Sequence, residues 1–190
     1  NCLLLYHGLG TGKTCSSIGI AEEMRKYMKQ INMQKKILII ASPNVQNNFK
    51  LQLFDERKLI NENGLWNINS CIGESLINEI NPTSLHNIKR DKVITQINAL
   101  ITHNYSFKGY SEFANYIKKR ISIDENSGLS LEERKKLEIK KIKEIFNNRL
   151  IIIDEVHNIR PIQDNNEHKR LYIQFNLKGH CDAYICNLRS

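Results

Sequence analysis

The residues best suited to chemistry in this sequence form a glycine-rich stretch near its beginning, His7-Gly8-Leu9-Gly10-Thr11-Gly12-Lys13-Thr14. Glycine at every second position lets the backbone take positive φ and approach a ligand closely, so that several N–H groups can turn toward an anion. In such a loop the lysine reaches the β- and γ-phosphates of a nucleotide, and the hydroxyl that follows ligates Mg²⁺. The stretch therefore predicts a phosphate-binding loop, with Lys13 also acting in catalysis and Thr14 holding the metal.

A second polar group, Asp154-Glu155-Val156-His157, follows the aliphatic run 150–153. Adjacent carboxylates at the end of a buried strand are costly unless they manage a cation or a proton. We expect Asp154 to hold Mg²⁺ through water, and Glu155 to orient and activate an attacking water. His157 would sense the γ-phosphate or transmit its loss. Together the two motifs predict hydrolysis of a nucleoside triphosphate.

Each motif also has a purely structural alternative. The first stretch could be a glycine-rich turn that happens to end in Gly-Lys-Thr, and the second could be a strand end with solvated acids. The context favours the functional interpretation, because an apolar run (2–6) precedes the loop and a helical pattern follows it.

The elements that must position these residues are typical of an α/β fold with a parallel sheet. The aliphatic run 37–41 reads as a strand buried on both faces. Ser42-Pro43 then predicts a helix start, with the helix reaching about Phe54. Since the carboxyl ends of parallel strands share one edge of a sheet, the loop and the acidic pair should converge there.

The helix after the loop reads as amphipathic. Its apolar residues at helical spacing should pack on the sheet, and its charged residues should face away. The first set is Ile18, Ala21, Met24, Met28 and Ile31; the second is Glu22, Glu23, Arg25, Lys26 and Lys29.

The middle of the chain predicts further elements without assignable chemistry. We expect a loop at 61–69, helices at 71–80 and 92–101, an aromatic strand at 105–110 and a helix at 111–121. Ser130 and Glu133 form a capping box that opens a charged helix. Its lysines read as a solvated face rather than a nucleic-acid groove.

The charge and the cysteine content limit the possible binding partners and the cellular compartment. A net charge of +8 over 190 residues favours a polyanion such as nucleic acid, although a merely soluble basic surface is the alternative. No apolar run approaches the roughly 20 residues of a membrane span, and we expect no signal peptide because no such pattern opens the sequence. The five cysteines lack paired spacing and predict free thiols in a reducing compartment, with a zinc site at His180, Cys181 and Cys186 as the alternative.

Three stretches, taken together, resemble motifs I, Ia and II of superfamily 2 helicases. They are residues 7–14, Ser42-Pro43-x-Val45-x-x-Asn48-Phe49, and Asp154-Glu155-Val156-His157-Asn158-Ile159-Arg160. The opening histidine and the extended last motif are similar to the helicase-like ATPases of nucleocytoplasmic large DNA viruses, which include the poxvirus early-transcription-factor ATPase and giant-virus relatives. The similarity covers residues 2 to about 175.

The resemblance implies the first of two RecA-like lobes, a parallel sheet flanked by helices that binds ATP and Mg²⁺. It also implies hydrolysis stimulated by DNA or RNA, with Ser42, Pro43 and Asn44 contacting the phosphate backbone. Residues 102–104 could be a further backbone-contacting loop, or a capping Asn beside a surface His. A second lobe and the viral transcription machinery would be the partners, in the virion or the host cytoplasm.

The differences between this sequence and that family affect the expected extent of the domain. His7 stands where the general loop consensus has glycine, a difference that points to the viral group, whereas residues 178–190 depart from the family as an atypical tail where a Ser-Ala-Thr motif is expected. We expect residues 1–190 to be one ATP-binding domain truncated at both ends, lacking the adenine-reading segment and the arginine finger of the second lobe. The alternatives are a P-loop kinase or ATPase indifferent to nucleic acid, and a non-catalytic truncated fragment.

Overall fold

The protein is seen in a computed structural model that describes residues 12–123 and 128–154. The chain divides into two compact units. Of the described residues, the first unit contains 38–42, 107–123 and 128–154, and we call it the sheet unit. The second contains 12–37 and 43–106, and we call it the hairpin unit. Across the described ranges, no helix combines the length and apolar character needed to cross a membrane.

The sheet unit contains strands and two long helices. Its strands are β1 (Ile37–Ile40), β4 (Tyr105–Lys108) and β5 (Ile151–Ile153), and its helices are α5 (Tyr110–Ile121) and α6 (Leu131–Phe146). The first residue of β1 and the first two of β4 belong to the hairpin unit. The hairpin unit contains α1 (Lys13–Gln30), α2 (Pro43–Leu53), β2 (Leu59–Glu62), β3 (Leu65–Ile68), α3 (Gly73–Ile80) and α4 (Arg90–Asn104), with a 3-10 turn at Glu56–Lys58.

The three strands of the sheet unit form a parallel sheet in the order β4-β1-β5. β1 and β5 pair in register, with Leu38 opposite Ile151 and Ile40 opposite Ile153. Every residue of these two strands is buried, which explains why both are continuous aliphatic runs rather than alternating ones. The prediction of an α/β fold with a parallel sheet flanked by helices is confirmed.

Helices α5 and α6 cover this sheet with an apolar cluster that includes Phe113, Ile117 and Phe146. The rings of Phe113 and Phe146 meet edge to face with centroids 6.1 Å apart. The predicted capping box opens α6: the Ser130 hydroxyl accepts from the Glu133 N–H at 3.3 Å, and the Glu133 carboxylate accepts from the Ser130 N–H at 2.9 Å. The sequence signature and the observed geometry agree here.

The hairpin unit corrects the expectation of a loop at 61–69. β2 and β3 pair antiparallel there, with Glu62 opposite Leu65. Asn63 (φ 53°) and Gly64 (φ 85°) link them, and two consecutive residues with positive φ are typical of a type I′ hairpin turn. The Trp66 indole N–H donates to the Ile88 carbonyl at 2.7 Å. The Asn63-Gly64 pair is therefore a local hairpin signal, and the prediction of a loop at 61–69 is wrong.

The predicted helices occur with shifted ends. α2 starts at Pro43 as expected, α3 starts at Gly73 rather than 71, and α4 extends to Asn104. That extension corrects the possibility of a backbone-contacting loop at 102–104, because these residues form the last turn of α4. The side-chain amide of Asn104 donates to the Leu100 carbonyl at 2.8 Å within that turn.

Candidate nucleotide-binding site

The end of the predicted phosphate loop has a left-handed backbone followed at once by a helix. Gly12 takes φ 76° and ψ 22° and caps α1, which begins at Lys13. An added Cβ at Gly12 would meet no atom within 4 Å, so the requirement for glycine comes from the backbone conformation. Left-handed geometry costs other residues about 1–2 kcal/mol. Residues His7, Gly8, Leu9, Gly10 and Thr11 lie outside the described part of the chain.

Lys13 and Thr14 occupy the first two positions of α1, and both are half-buried. The first intrahelical bond recorded at this end joins the Ser16 N–H to the Gly12 carbonyl at 3.0 Å. The earlier N–H groups of a helix have no carbonyl partner within it, and the helix dipole makes this end positive. In the first turn of α1, all of which is described, there is no acidic side chain to offset that charge. This turn is therefore suited to an anion such as a phosphate.

Asp154 lies at the carboxyl end of β5 in the sheet unit and is 3% exposed. Its N–H donates to the Ile40 carbonyl at 2.9 Å, and its carbonyl accepts from the Tyr110 hydroxyl at 2.8 Å. These two bonds fix the N–H and the carbonyl group of Asp154. A buried carboxylate is itself stable only with a compensating partner. Glu155 and His157 lie outside the described residues.

The predicted nucleic-acid contact begins at the same edge of the sheet. Because Ile40 pairs with Ile153 in the parallel register, Ser42 follows β1 close to the level at which Asp154 follows β5. Ser42 is half-buried, whereas Pro43 and Asn44, in the first turn of α2, are exposed. The structure thus brings Ser42 and Asp154 to one sheet edge.

Lys13 and Thr14 belong to the hairpin unit and Asp154 to the sheet unit. The convergence of the two motifs stays a prediction. The Thr14 hydroxyl and the Asp154 carboxylate are hard oxygen donors, which suit Mg²⁺. Within 12–123 and 128–154, no group of three or more His, Cys, Asp or Glu could hold a metal by itself. Mg²⁺ at nucleotide sites takes one or two carboxylates with water and phosphate, so that finding does not bear on this pair.

A buried ionic network corrects the expectation that all charged residues of α1 face away. Glu22 and Arg25 are 2% and 4% exposed. The guanidinium of Arg25 binds the Glu22 carboxylate at 2.7 Å and the Glu79 carboxylate at 2.6 Å. Glu79 also binds Lys29 at 2.9 Å, and the Tyr105 hydroxyl donates to Glu22 at 2.5 Å. The network ties α1 to α3 and to the start of β4.

The pKa values in this network follow from burial and pairing. For Arg25, burial acts against the charged form, but hydrogen bonds to Glu22 and Glu79 outweigh it and raise the pKa. For Glu79, burial raises the pKa, but the hydrogen bonds from Arg25 and Lys29 outweigh it and hold the pKa below its usual value. Burial, followed by the negative charge of Glu22, raises the pKa of Tyr105 well above its ordinary value. At neutral pH Arg25 and Glu79 are therefore charged, and Tyr105 is protonated.

The network borders a cavity of about 340 Å³ within the hairpin unit, at the end of α1 away from Lys13. Its lining includes Arg25, Lys29 and Glu79 from the network, together with Lys35, His103 and Asn104. The sequence offered one local signal for this region, the i, i+3 spacing of Glu22 and Arg25. The remaining partners lie far along the chain, so no local pattern could have identified them.

The structure also corrects the prediction that all cysteines are free thiols. Cys15 and Cys71 form a disulfide in the hairpin unit, with Cα atoms 5.7 Å apart. Cys15 is the third residue of α1, two positions after Lys13, and Cys71 lies between β3 and α3. The alternative zinc site at His180, Cys181 and Cys186 lies outside the described residues.

Comparison with models of known protein families, with curated protein sequences and with solved structures finds no match for this chain.

Proposed function

We propose that this chain is the ATP-binding lobe of a nucleic-acid-dependent ATPase of the superfamily 2 helicase or translocase class, working in viral transcription. In this proposal residues 7–14 hold the triphosphate, Thr14 and Asp154 hold Mg²⁺, and Glu155 activates the attacking water. Mg²⁺ would supply charge screening for the β- and γ-phosphates.

The observation that carries the proposal is the start of α1. Gly12 is left-handed, and the helix begins at Lys13 with its first-turn N–H groups directed away from the helix body. A glycine turn that only reversed the chain would not need Gly-Lys-Thr placed at the positive end of a long helix. A phosphate-binding loop requires both the turn and that placement.

The sheet edge supports the second half of the proposal. Asp154 is buried at the end of a parallel strand whose neighbour leads into Ser42 and the exposed residues Pro43 and Asn44. Parallel sheets bind ligands at this edge. In the proposal, the N-terminus of α2 offers N–H groups to a phosphate backbone, and the net charge of +8 favours such a partner.

Binding of labelled single-stranded DNA and RNA tests the nucleic-acid part. Asn44→Glu places a negative charge at the start of α2 and should weaken binding about tenfold, because like charges repel at short range. Asn98→Glu makes the same change in charge at an exposed position of α4 and should leave affinity unchanged. Equal losses in both variants would show a general charge effect, and the contact at Asn44 would be refuted.

ATP turnover separates the enzyme classes. The chain alone should hydrolyse ATP slowly, because an arginine finger is worth about 10³–10⁵ in rate in related phosphoryl-transfer enzymes. Joined to a second lobe, its turnover should rise with DNA or RNA. If ATP turnover by that longer protein did not change with any DNA or RNA, the alternative of a nucleic-acid-independent ATPase or kinase would be favoured.

A further inference from the structure

We propose that the Cys15–Cys71 pair is a thiol–disulfide switch that sets the affinity of the phosphate-binding turn for nucleotide. This inference rests on the proposed function, since it concerns the regulation of the same site. Its basis is the position of the bond, two residues after Lys13 in the first turn of the helix that the loop opens.

The disulfide fixes that first turn to a second element. Cys71 lies in the segment that leads from β3 into α3, and this segment is itself held by neighbouring backbone bonds. The Ser70 N–H donates to the Ile68 carbonyl at 3.0 Å, and the Leu76 N–H donates to the Ile72 carbonyl at 3.0 Å. The bond therefore anchors the start of α1 to a part of the hairpin unit that is distant in sequence by 56 residues.

The oxidised pair is compatible with the turn required for phosphate. With the disulfide present, Gly12 is left-handed and α1 begins at Lys13. A cross-link at the third helical position restricts the alternative arrangements of this turn. The oxidised form should thus be preorganised for an anion, and the reduced form should adopt the same turn for only part of the time.

The exchange reaction is chemically complete with a small-molecule disulfide as oxidant. The Cys71 side is exposed and the Cys15 side is half-buried. A thiolate at Cys71 attacks the small disulfide, forming a mixed disulfide and releasing one small thiolate, which takes up a proton. The Cys15 thiol loses its proton and attacks the Cys71 sulfur, releasing the second small thiol. Reduction by small thiols reverses both steps.

Titration of Mg·ATP into the oxidised and reduced protein tests the switch. The protein is equilibrated with oxidised glutathione or with dithiothreitol, and peptide mapping reports the state of the pair. Oxidised protein should bind Mg·ATP about tenfold more tightly, corresponding to a reduced form that holds the competent turn for about a tenth of the time. The unfolding midpoint reported by Trp66, which lies in the same unit, should be higher by about 10 °C in the oxidised form.

Two variants provide the controls. Cys15→Ser/Cys71→Ser should bind Mg·ATP with the reduced affinity under both conditions, whereas Cys2→Ser, which keeps the pair, should respond as the wild type does. The inference is overturned if the disulfide does not form, or if the two states bind Mg·ATP equally. Absence of Mg·ATP binding in both states would instead overturn the proposed function, and the inference with it.

Discussion

Replacing Arg25 with alanine should lower the free energy of unfolding of the hairpin unit by about 3–5 kcal/mol, because it leaves a buried carboxylate without its ionic partner. Glu22 is 2% exposed and accepts three hydrogen bonds from Arg25, one at 2.7 Å and two at 3.0 Å. After the substitution only the Tyr105 hydroxyl, of the partners described here, still donates to it. Glu79 is 21% exposed and keeps Lys29, so most of the loss should come from Glu22.

The same helix offers a matched control. Lys26 pairs with Glu23 at 2.8 Å with the same i, i+3 spacing, but the two side chains are 47% and 75% exposed. Exposed pairs of this kind contribute about 0–1 kcal/mol. Lys26→Ala should therefore change the stability little.

Urea unfolding followed by the fluorescence of Trp66 measures the effect in the relevant unit, since this is the single tryptophan of the chain. A third variant, Glu22→Gln/Arg25→Met, removes both charges and should recover most of the loss, because replacing a buried pair is far cheaper than breaking it. Equal effects of Arg25→Ala and Lys26→Ala, or no recovery in the double variant, would refute the argument from burial.

Two further changes in the hairpin unit have predictable outcomes. Gly73→Ala should destabilise it severely, since an added Cβ would lie 2.0 Å from the Ile68 carbonyl oxygen, whereas Gly19→Ala meets nothing within 4 Å and should stabilise α1 by about 0.5–1 kcal/mol; thermal unfolding of both variants checks this, and equal midpoints would contradict it. The raised pKa of Tyr105 means that above about pH 10 the unfolded chain loses its phenolic proton while the folded protein keeps it. Stability should then be complete below pH 10 and fall by about 1.4 kcal/mol per pH unit above it. Tyr105→Phe should remove that part of the slope, as measured by urea unfolding from pH 8 to 11, and an unchanged slope would contradict the assignment.

Local patterns predicted the parts of the fold that depend on local chemistry. The continuous aliphatic runs at β1 and β5 identified buried parallel strands, and Ser130 with Glu133 identified the start of α6. Gly12 and Lys13 likewise predicted the turn and the helix start at the candidate site. In each case the signal and the structure lie within a few residues of each other.

The features that escaped prediction depend on partners distant in sequence. The local pattern around Glu22 and Arg25 predicts an exposed charged face. In the structure, Glu79 and Tyr105 form the bonds that compensate the burial of these two side chains. Cys15 read as a free thiol because no nearby cysteine has a paired spacing, and its partner lies 56 positions away. The hairpin at 59–68 differs, because its Asn63-Gly64 signal lies within the turn itself and is local.

The binding of Mg·ATP to wild type and Lys13→Ala tests the central claim most directly. At a ligand concentration about 100 times Kd, binding should add about 2.7 kcal/mol to the stability of the wild type, measured as a rise in the midpoint of unfolding by Trp66 fluorescence. Lys13→Ala should abolish that rise, and Lys26→Ala, which removes an exposed cation from the same helix, should keep it. No rise in the wild type, or an equal rise in Lys13→Ala, would contradict the assignment of a phosphate-binding loop.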